Sequence, residues 1–163
     1  MKRIFVSIAA YCEPLLEFTL DSLFQKASEP DALHVGLFDQ SSFDTQSWLA
    51  KKPYWNQITY VQIDPVQARG AAWARAVCNS LYQGEDYFFQ IDSHTWFDKA
   101  WDKKLKILLD AALKHSKKPI LSTYPPPFGF DDKGKPFKNG VVQDAVFVLR
   151  PLHDANPDRK SVV

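Results

Sequence analysis

The segment Tyr87-Phe88-Phe89-Gln90-Ile91 is a short β-rich run that ends in Asp92-Ser93-His94. Side chains alternate along an extended strand, so Asp92 and His94 are expected to point one way and Ser93 the other. A carboxylate beside an imidazole at a strand end can share one divalent cation. Oxygen with nitrogen favours Mn²⁺, with Mg²⁺ bound partly through water. An isolated D-x-H is better read as a turn cap followed by a rim histidine, because so short a motif recurs by chance. What the chain builds around it decides between the two.

Toward the N-terminus, Ile4-Phe5-Val6-Ser7-Ile8-Ala9 has the character of a buried first strand. Pro14 suits a first helical turn, and Leu16, Leu20, Leu23, Phe24 and Ala27 then fall on one helix face before Pro30 stops it. Leu33-His34-Val35-Gly36-Leu37-Phe38 makes a second strand ending at Asp39-Gln40. A polar, irregular stretch over 41–53 precedes a third strand, Ile58-Thr59-Tyr60-Val61-Gln62-Ile63. Residues 68–82 read as a helix with Trp73, Ala76, Val77 and Leu81 on one side.

Toward the C-terminus, Asp98 is a plausible N-cap for a helix aligning Trp101, Leu105, Leu108, Leu109 and Ala112. Pro119-Ile120-Leu121-Ser122-Thr123-Tyr124 reads as a fifth strand closed by three prolines. Patterning is well defined over 4–126 and thinner over 127–163, where Asp131-Asp132-Lys133-Gly134-Lys135 reads as an exposed turn and 145–149 as a last short strand. This order predicts one α/β domain with a mostly parallel sheet flanked by helices. In such sheets ligands bind beyond the carboxyl ends of the strands, so 10–13, 39–42, 64–70, 92–94 and 124–127 are the places to look.

Composition narrows the partners. With 163 residues, 45% hydrophobic and 24% charged, the chain can bury a real core. Its net charge of +1, from 20 basic against 19 acidic residues, argues against a nucleic-acid binder, which needs a basic excess. No apolar run approaches the ~18 residues of a membrane span, and the N-terminus is no secretory signal. Two cysteines, Cys12 and Cys78, make neither a disulfide framework nor a zinc site, so a cytoplasmic location is expected. The sequence lacks G-x-G-x-x-G, G-x-x-x-x-G-K-[ST] and G-x-S-x-G, which removes dinucleotide-binding, P-loop and common hydrolase readings.

A second constellation, Ala68-Arg69-Gly70-Ala71-Ala72-Trp73-Ala74-Arg75, remains. Small residues at a helix start let a ligand approach free backbone N–H groups whose dipole favours phosphate. Arg69 could contact a phosphate or base, and Arg75, farther along, could brace a carboxylate such as Asp92. A close-packed helix with solvated arginines explains the same residues. Asp39 could accept from a base N–H, although an Asx turn accounts for it equally. His34, His115 and His153 are read as structural or surface residues. A cation at Asp92 and His94 would neutralise the phosphates of a nucleotide diphosphate leaving group.

Four blocks over 4–126 together resemble a known family. They are Ile4-Phe5-Val6-Ser7-Ile8-Ala9-Ala10-Tyr11; Ala68-Arg69-Gly70 with Trp73-Ala74-Arg75; Gly84-Glu85-Asp86-Tyr87 with Gln90-Ile91-Asp92-Ser93-His94; and Leu121-Ser122-Thr123-Tyr124-Pro125-Pro126. They are similar to the N-acetylglucosaminyltransferases that include the cytoplasmic hydroxyproline-directed enzymes of protists. The resemblance implies a GT-A fold, UDP-N-acetylglucosamine as donor, a divalent metal, and retaining transfer to a hydroxyl on a protein or glycan acceptor. By position Asp92 and His94 match the metal motif. Arg69, Gly70 and Arg75 match the donor-binding helix start, and Ser7, Ala9 and Tyr11 the strand end that lines the nucleotide. Where the family usually has Arg-Asp, this chain has Cys12-Glu13. Family members also carry a further segment, so the expectation is a C-terminally truncated member, testable by reading the DNA past codon 163. The alternative is a non-catalytic nucleotide-sugar-binding or interaction module, for which homodimerisation would be expected.

Overall fold

A computed structural model describes residues 2–123 and 125–139. In chain order these form β1 (Ile4–Tyr11), α1 (Leu16–Lys26), β2 (Leu33–Gln40), α2 (Thr45–Leu49), β3 (Ile58–Ile63), α3 (Ala71–Ser80), β4 (Tyr87–Asp92), α4 (Trp101–Leu113), β5 (Phe128–Phe130) and β6 (Pro136–Lys138). The chain divides into two compact units, Met1–Ala111 and Ala112–Val163. Among the described residues, no helix is long and apolar enough to cross a membrane.

In the first unit four parallel strands lie in the order β3-β2-β1-β4. The α/β reading holds: consecutive strands run parallel and are joined by helical crossovers. The chain first builds outward from β1 to β2 and β3, then returns so that β4 pairs with the other side of β1. That reversal is a topological switch point.

Strand parity sorts the side chains into two layers. Ile4, Val6, Ile8 and Ala10 of β1, with Leu33, Val35 and Leu37 of β2, face one layer, where Leu16, Leu20, Leu23 and Phe24 of α1 meet Phe97 and Trp101. The opposite face packs α3 through Ala74 and Cys78 against Phe38. Small residues let α3 close on the sheet, and the buried Cys78 Sγ–H donates to the Ile8 carbonyl at 3.1 Å. The apolar stripe of α3 is thus Ala74 and Cys78 flanked by Trp73 and Val77, while Ala76 is exposed.

Several expectations need correcting. Pro14 lies in a turn ahead of α1, not in its first helical turn. The helix expected over 68–82 starts only at Ala71, because residues 65–67 form a separate 3₁₀ turn capped by Asp64 and Gly70 breaks the chain direction. The helix expected to follow Asp98 begins at Trp101. Residues 97–100 are committed to α1 instead: Phe97 N–H donates to Ser22 Oγ and Ala100 N–H to the Lys26 carbonyl, with Ala100 at φ 60°. Leu108 leaves the stripe and is 55% exposed. Residues 119–123 form no strand; Ile120 is 89% exposed, and prolines at 119 and 125–127 lack the N–H that a ladder needs. The segment 145–149, Tyr124 and His153 lie outside the described residues. In the second unit Asp131 accepts from Lys133 and Lys135 N–H, and Gly134 at φ 73° completes the expected turn between β5 and β6.

His34 proves structural. At the amino ends of the strands its Nδ1 meets the buried Glu85 Oε1 at 2.5 Å, and its Nε2 lies 2.8 Å from Thr59 Oγ1. Burial pushes the Glu85 pKa up, but the backbone N–H groups of Gln83 and Glu85 and the His34 ring outweigh it and hold the carboxyl below the ordinary range.

Two predictions concern this scaffold. A Cβ at Gly36 would sit 2.5 Å from Phe5 Cζ and 3.2 Å from Leu81 Cβ, and the Phe5 ring is itself fully buried against Tyr82 and Phe88. Gly36→Ala should therefore cost about 1–3 kcal/mol, read as a lower urea midpoint at unchanged m. Because folding lowers the Glu85 pKa, its stabilisation is complete above the ordinary carboxylate range and lost as pH falls through the lowered value. Glu85→Gln should cost about 1–3 kcal/mol at neutral pH, and the gap from wild type should shrink in acid denaturant titrations.

Candidate functional site

A cleft of about 570 Å³ opens at the carboxyl ends of the strands, on the α3 face. That is the size of a small-ligand site. Ala9 and Tyr11 of β1, Gln40 of β2, Asp92 of β4 and the start of α3 line it, together with Glu13, Ser93 and His94. Parity explains the membership. Phe5 and Phe88 touch on the α3 face, and steps of two along β1 and β4 carry that face to Ala9, Tyr11 and Asp92. In register, Ala9 lies opposite Asp92.

Asp92 and His94 both reach the cleft, 59% and 57% exposed at their side chains. They do so on different backbone, since β4 ends at Asp92 and the chain bends through Ser93 and His94. Ser93 is buried. Thr19, fully buried on α1, holds the bend: its hydroxyl donates to the Ser93 carbonyl at 2.9 Å and accepts from Thr95 N–H at 3.0 Å. The Thr95 hydroxyl donates to the Asp92 carbonyl at 2.8 Å. The bend is thus set by three hydrogen bonds among backbone and hydroxyl groups, which leaves the carboxylate and imidazole free for other partners.

Each has one. Arg75 Nη2 donates to Asp92 Oδ1 at 3.0 Å, the bracing expected of it. His94 Nδ1 pairs with Glu13 Oε2 at 2.9 Å. Asp92 Oδ2 and His94 Nε2 have no hydrogen-bond partner among the described residues. No group of three or more His, Cys, Asp or Glu that could hold a metal gathers among those residues. A carboxylate oxygen and an imidazole nitrogen facing one cleft are donor types that could serve a cation, with its remaining positions left for ligand oxygens and water.

Gly70 shapes the facing wall. Its φ of 87° and ψ of 169° lie where essentially only glycine goes, and the turn it makes aims the start of α3 at the cleft. The first N–H groups of a helix lack intrahelical partners, and here Gly70 and Ala71 expose them to the space beside Asp92.

Three expected residues stand elsewhere. Ser7 is buried below the cleft, its hydroxyl donating to Asn79 Oδ1 at 3.2 Å. Asp39 has the parity of Val35 and Leu37, so it faces the α1 layer, where Tyr60 donates to its Oδ2 at 3.1 Å. Burial, then the Asp39 charge, pushes the Tyr60 phenol up and keeps it a donor. Arg69 lies over the Trp73 ring at 5.6 Å and does not line the cleft. Glu13 and Gln40 line the cleft in their place, and Thr19 holds the bend beside it. Glu13 lay in a flagged strand end, and a threonine within the apolar face of α1 was a visible signal.

Gly70 generates a prediction of its own. No atom lies within 4 Å of a Cβ built there, so Gly70→Ala meets only the backbone penalty. It should lose about 1–3 kcal/mol in urea unfolding; an unchanged midpoint would show that the turn is not constrained.

Comparison with known proteins gives this site its context. No curated protein matches the chain. A solved structure of S. aureus TarS is similar, with a TM-score of 0.53 and 21% sequence identity over 68% of this chain. The chain spans 20% of that protein's length. The likeness is one of fold, and the fold is GT-A, a parallel sheet flanked by helices. A model of the glycosyltransferase (GlcNAc) family matches residues 3–56 and 50–143, and the chain belongs to that family.

Proposed function

We propose that the cleft is the donor site of a metal-dependent glycosyltransferase that takes UDP-N-acetylglucosamine and transfers the sugar to a hydroxyl acceptor with retention. One observation carries this reading: the end of β4, with Asp92 and His94, and the start of α3, with Gly70 and Arg75, converge on one cleft at the switch point. Family membership supports the sugar, and the sequence resemblance to hydroxyproline-directed enzymes supports the uridine nucleotide and the stereochemistry.

Each residue has a task in this reading. Asp92 and His94 hold Mn²⁺ or Mg²⁺ through Oδ2 and Nε2. The cation, when bound, neutralises the diphosphate as it departs. Backbone N–H groups after Gly70 receive phosphate oxygens at the positive end of α3. Arg75 holds Asp92 through an exposed ion pair, a kind worth about 0–1 kcal/mol, so it can turn to phosphate at little cost. Tyr11, 61% exposed at the rim, offers an aromatic face to the base. The two carboxylates that line the cleft, Glu13 and Asp92, are both engaged. That is compatible with the departing phosphate accepting the hydroxyl proton on the same face. We place the activity in the cytoplasm, a reading the two free thiols support.

Calorimetry tests the assignment. UDP should bind with Mn²⁺ present and at least about tenfold more weakly without it, a difference of about 1.4 kcal/mol. Asp92→Ala should abolish the metal dependence. Equal binding with and without Mn²⁺, or by wild type and Asp92→Ala, would sink the assignment. Released UDP, measured across a panel of UDP-sugars, identifies the donor.

A further inference from the structure

The geometry points to Glu13 as the residue that fixes the His94 imidazole for a divalent cation, by accepting its Nδ1 hydrogen and leaving Nε2 as the ligand atom. This rests on the reading of the cleft as a metal-dependent donor site and adds a positioning residue to it.

Glu13 is held from both oxygens. Oε1 accepts the Leu15 N–H at 2.9 Å, and Oε2 lies 2.9 Å from His94 Nδ1. Its side chain is only 16% exposed, whereas that of His94 is 57% exposed. The carboxylate is therefore the anchored partner and the ring the dependent one. A carboxylate oxygen accepts and does not donate, so the hydrogen between the two sits on Nδ1. In the neutral ring the lone pair then lies on Nε2, the atom with no hydrogen-bond partner among the described residues. A carboxylate behind a metal-ligating histidine sets the tautomer and orientation of the ring, and its loss weakens metal binding by roughly 10–100-fold.

The backbone explains why Glu13 can reach. Cys12 adopts φ 46°, a left-handed conformation uncommon for a side-chain-bearing residue, and its N–H donates to the Gln40 carbonyl at 3.3 Å. That turn redirects the chain after β1, and the Leu15 bond ties Glu13 to the approach to α1. Glu13 thus meets a residue 81 positions later in sequence. The Cys12-Glu13 pair, a departure from the family pattern, has a task of its own here.

The experiment reads the tautomer directly. In ¹⁵N-histidine-labelled protein without metal, two-bond ¹⁵N–¹H correlation should show His94, assigned with His94→Asn, as the Nδ1–H form. Glu13→Ala should move it toward the Nε2–H form, and Glu13→Gln, whose amide oxygen still accepts, should restore it. Mn²⁺ affinity, from electron paramagnetic resonance of the free ion, should fall roughly 10–100-fold in Glu13→Ala and recover most of that loss in Glu13→Gln. Should the alanine variant not fold, Glu13→Asp keeps an acceptor near the turn while withdrawing it from the ring, with the same tautomer shift expected. A wild-type Nε2–H ring, or a Glu13→Ala variant with unchanged tautomer and Mn²⁺ affinity, overturns the role of Glu13 while leaving the metal site standing. Failure of the wild type to bind Mn²⁺ overturns the metal site itself, and this inference with it.

Discussion

The return of β4 to the free side of β1 is the constraint from which the rest of the site follows. Once that pairing forms, Ala9 stands opposite Asp92, and the parity of two neighbouring strands decides which side chains reach the α3 face. A one-residue slip would turn Asp92 toward the α1 layer and Ile91 toward the cleft. Register is protected by burial: Tyr87, Phe89 and Ile91 pack against the larger core. The apolar side of β4 therefore fixes where its polar side points.

Buried polar groups finish what register begins. Thr19 and Ser22 are buried on α1, yet each answers backbone from the segment after β4. Among the described residues, no buried side-chain nitrogen or oxygen is left without a partner. An unmade bond at such a site costs about 1–3 kcal/mol, so α1 tolerates few other placements of the bend that carries His94. The Trp101 indole N–H, given to the Leu23 carbonyl at 2.9 Å, ties the start of α4 to the same helix.

Much of this was legible in the sequence, for identifiable reasons. β1 and β2 showed because buried parallel strands are nearly continuous apolar runs, and the half-exposed edge strands β3 and β4 showed as short β-rich runs. The cleft could be located because the order of elements fixes where carboxyl ends gather. Asp39 turns to the α1 layer, as its parity with Val35 and Leu37 allows; a strand-end position alone does not say which face a side chain takes. Ser7 was likewise too far back along its strand. No strand forms over 119–123, where prolines at 119 and 125–127 withhold the N–H groups a ladder needs at both ends, and α4 begins only at Trp101 because the N–H groups of Phe97 and Ala100 are bonded to α1. The strand end 10–13 was legible as a place for ligands, but the pairing of Glu13 with His94 was not, since His94 lies beyond another strand end and only the closed sheet brings them together.

That last separation has a consequence for how the protein forms. Glu13 and His94 are 81 residues apart, and Thr19 reaches Ser93 across 74. Closing chain segments of this length must be completed before either contact returns any energy. The cleft is therefore a late product of folding. On a ribosome, β1 and α1 emerge with their polar groups unanswered and stay so until the chain past Thr95 is free. Through that interval the side of β1 that β4 will take is an open backbone edge that can pair with another chain. The contacts that shape the site are the same ones that end this exposure.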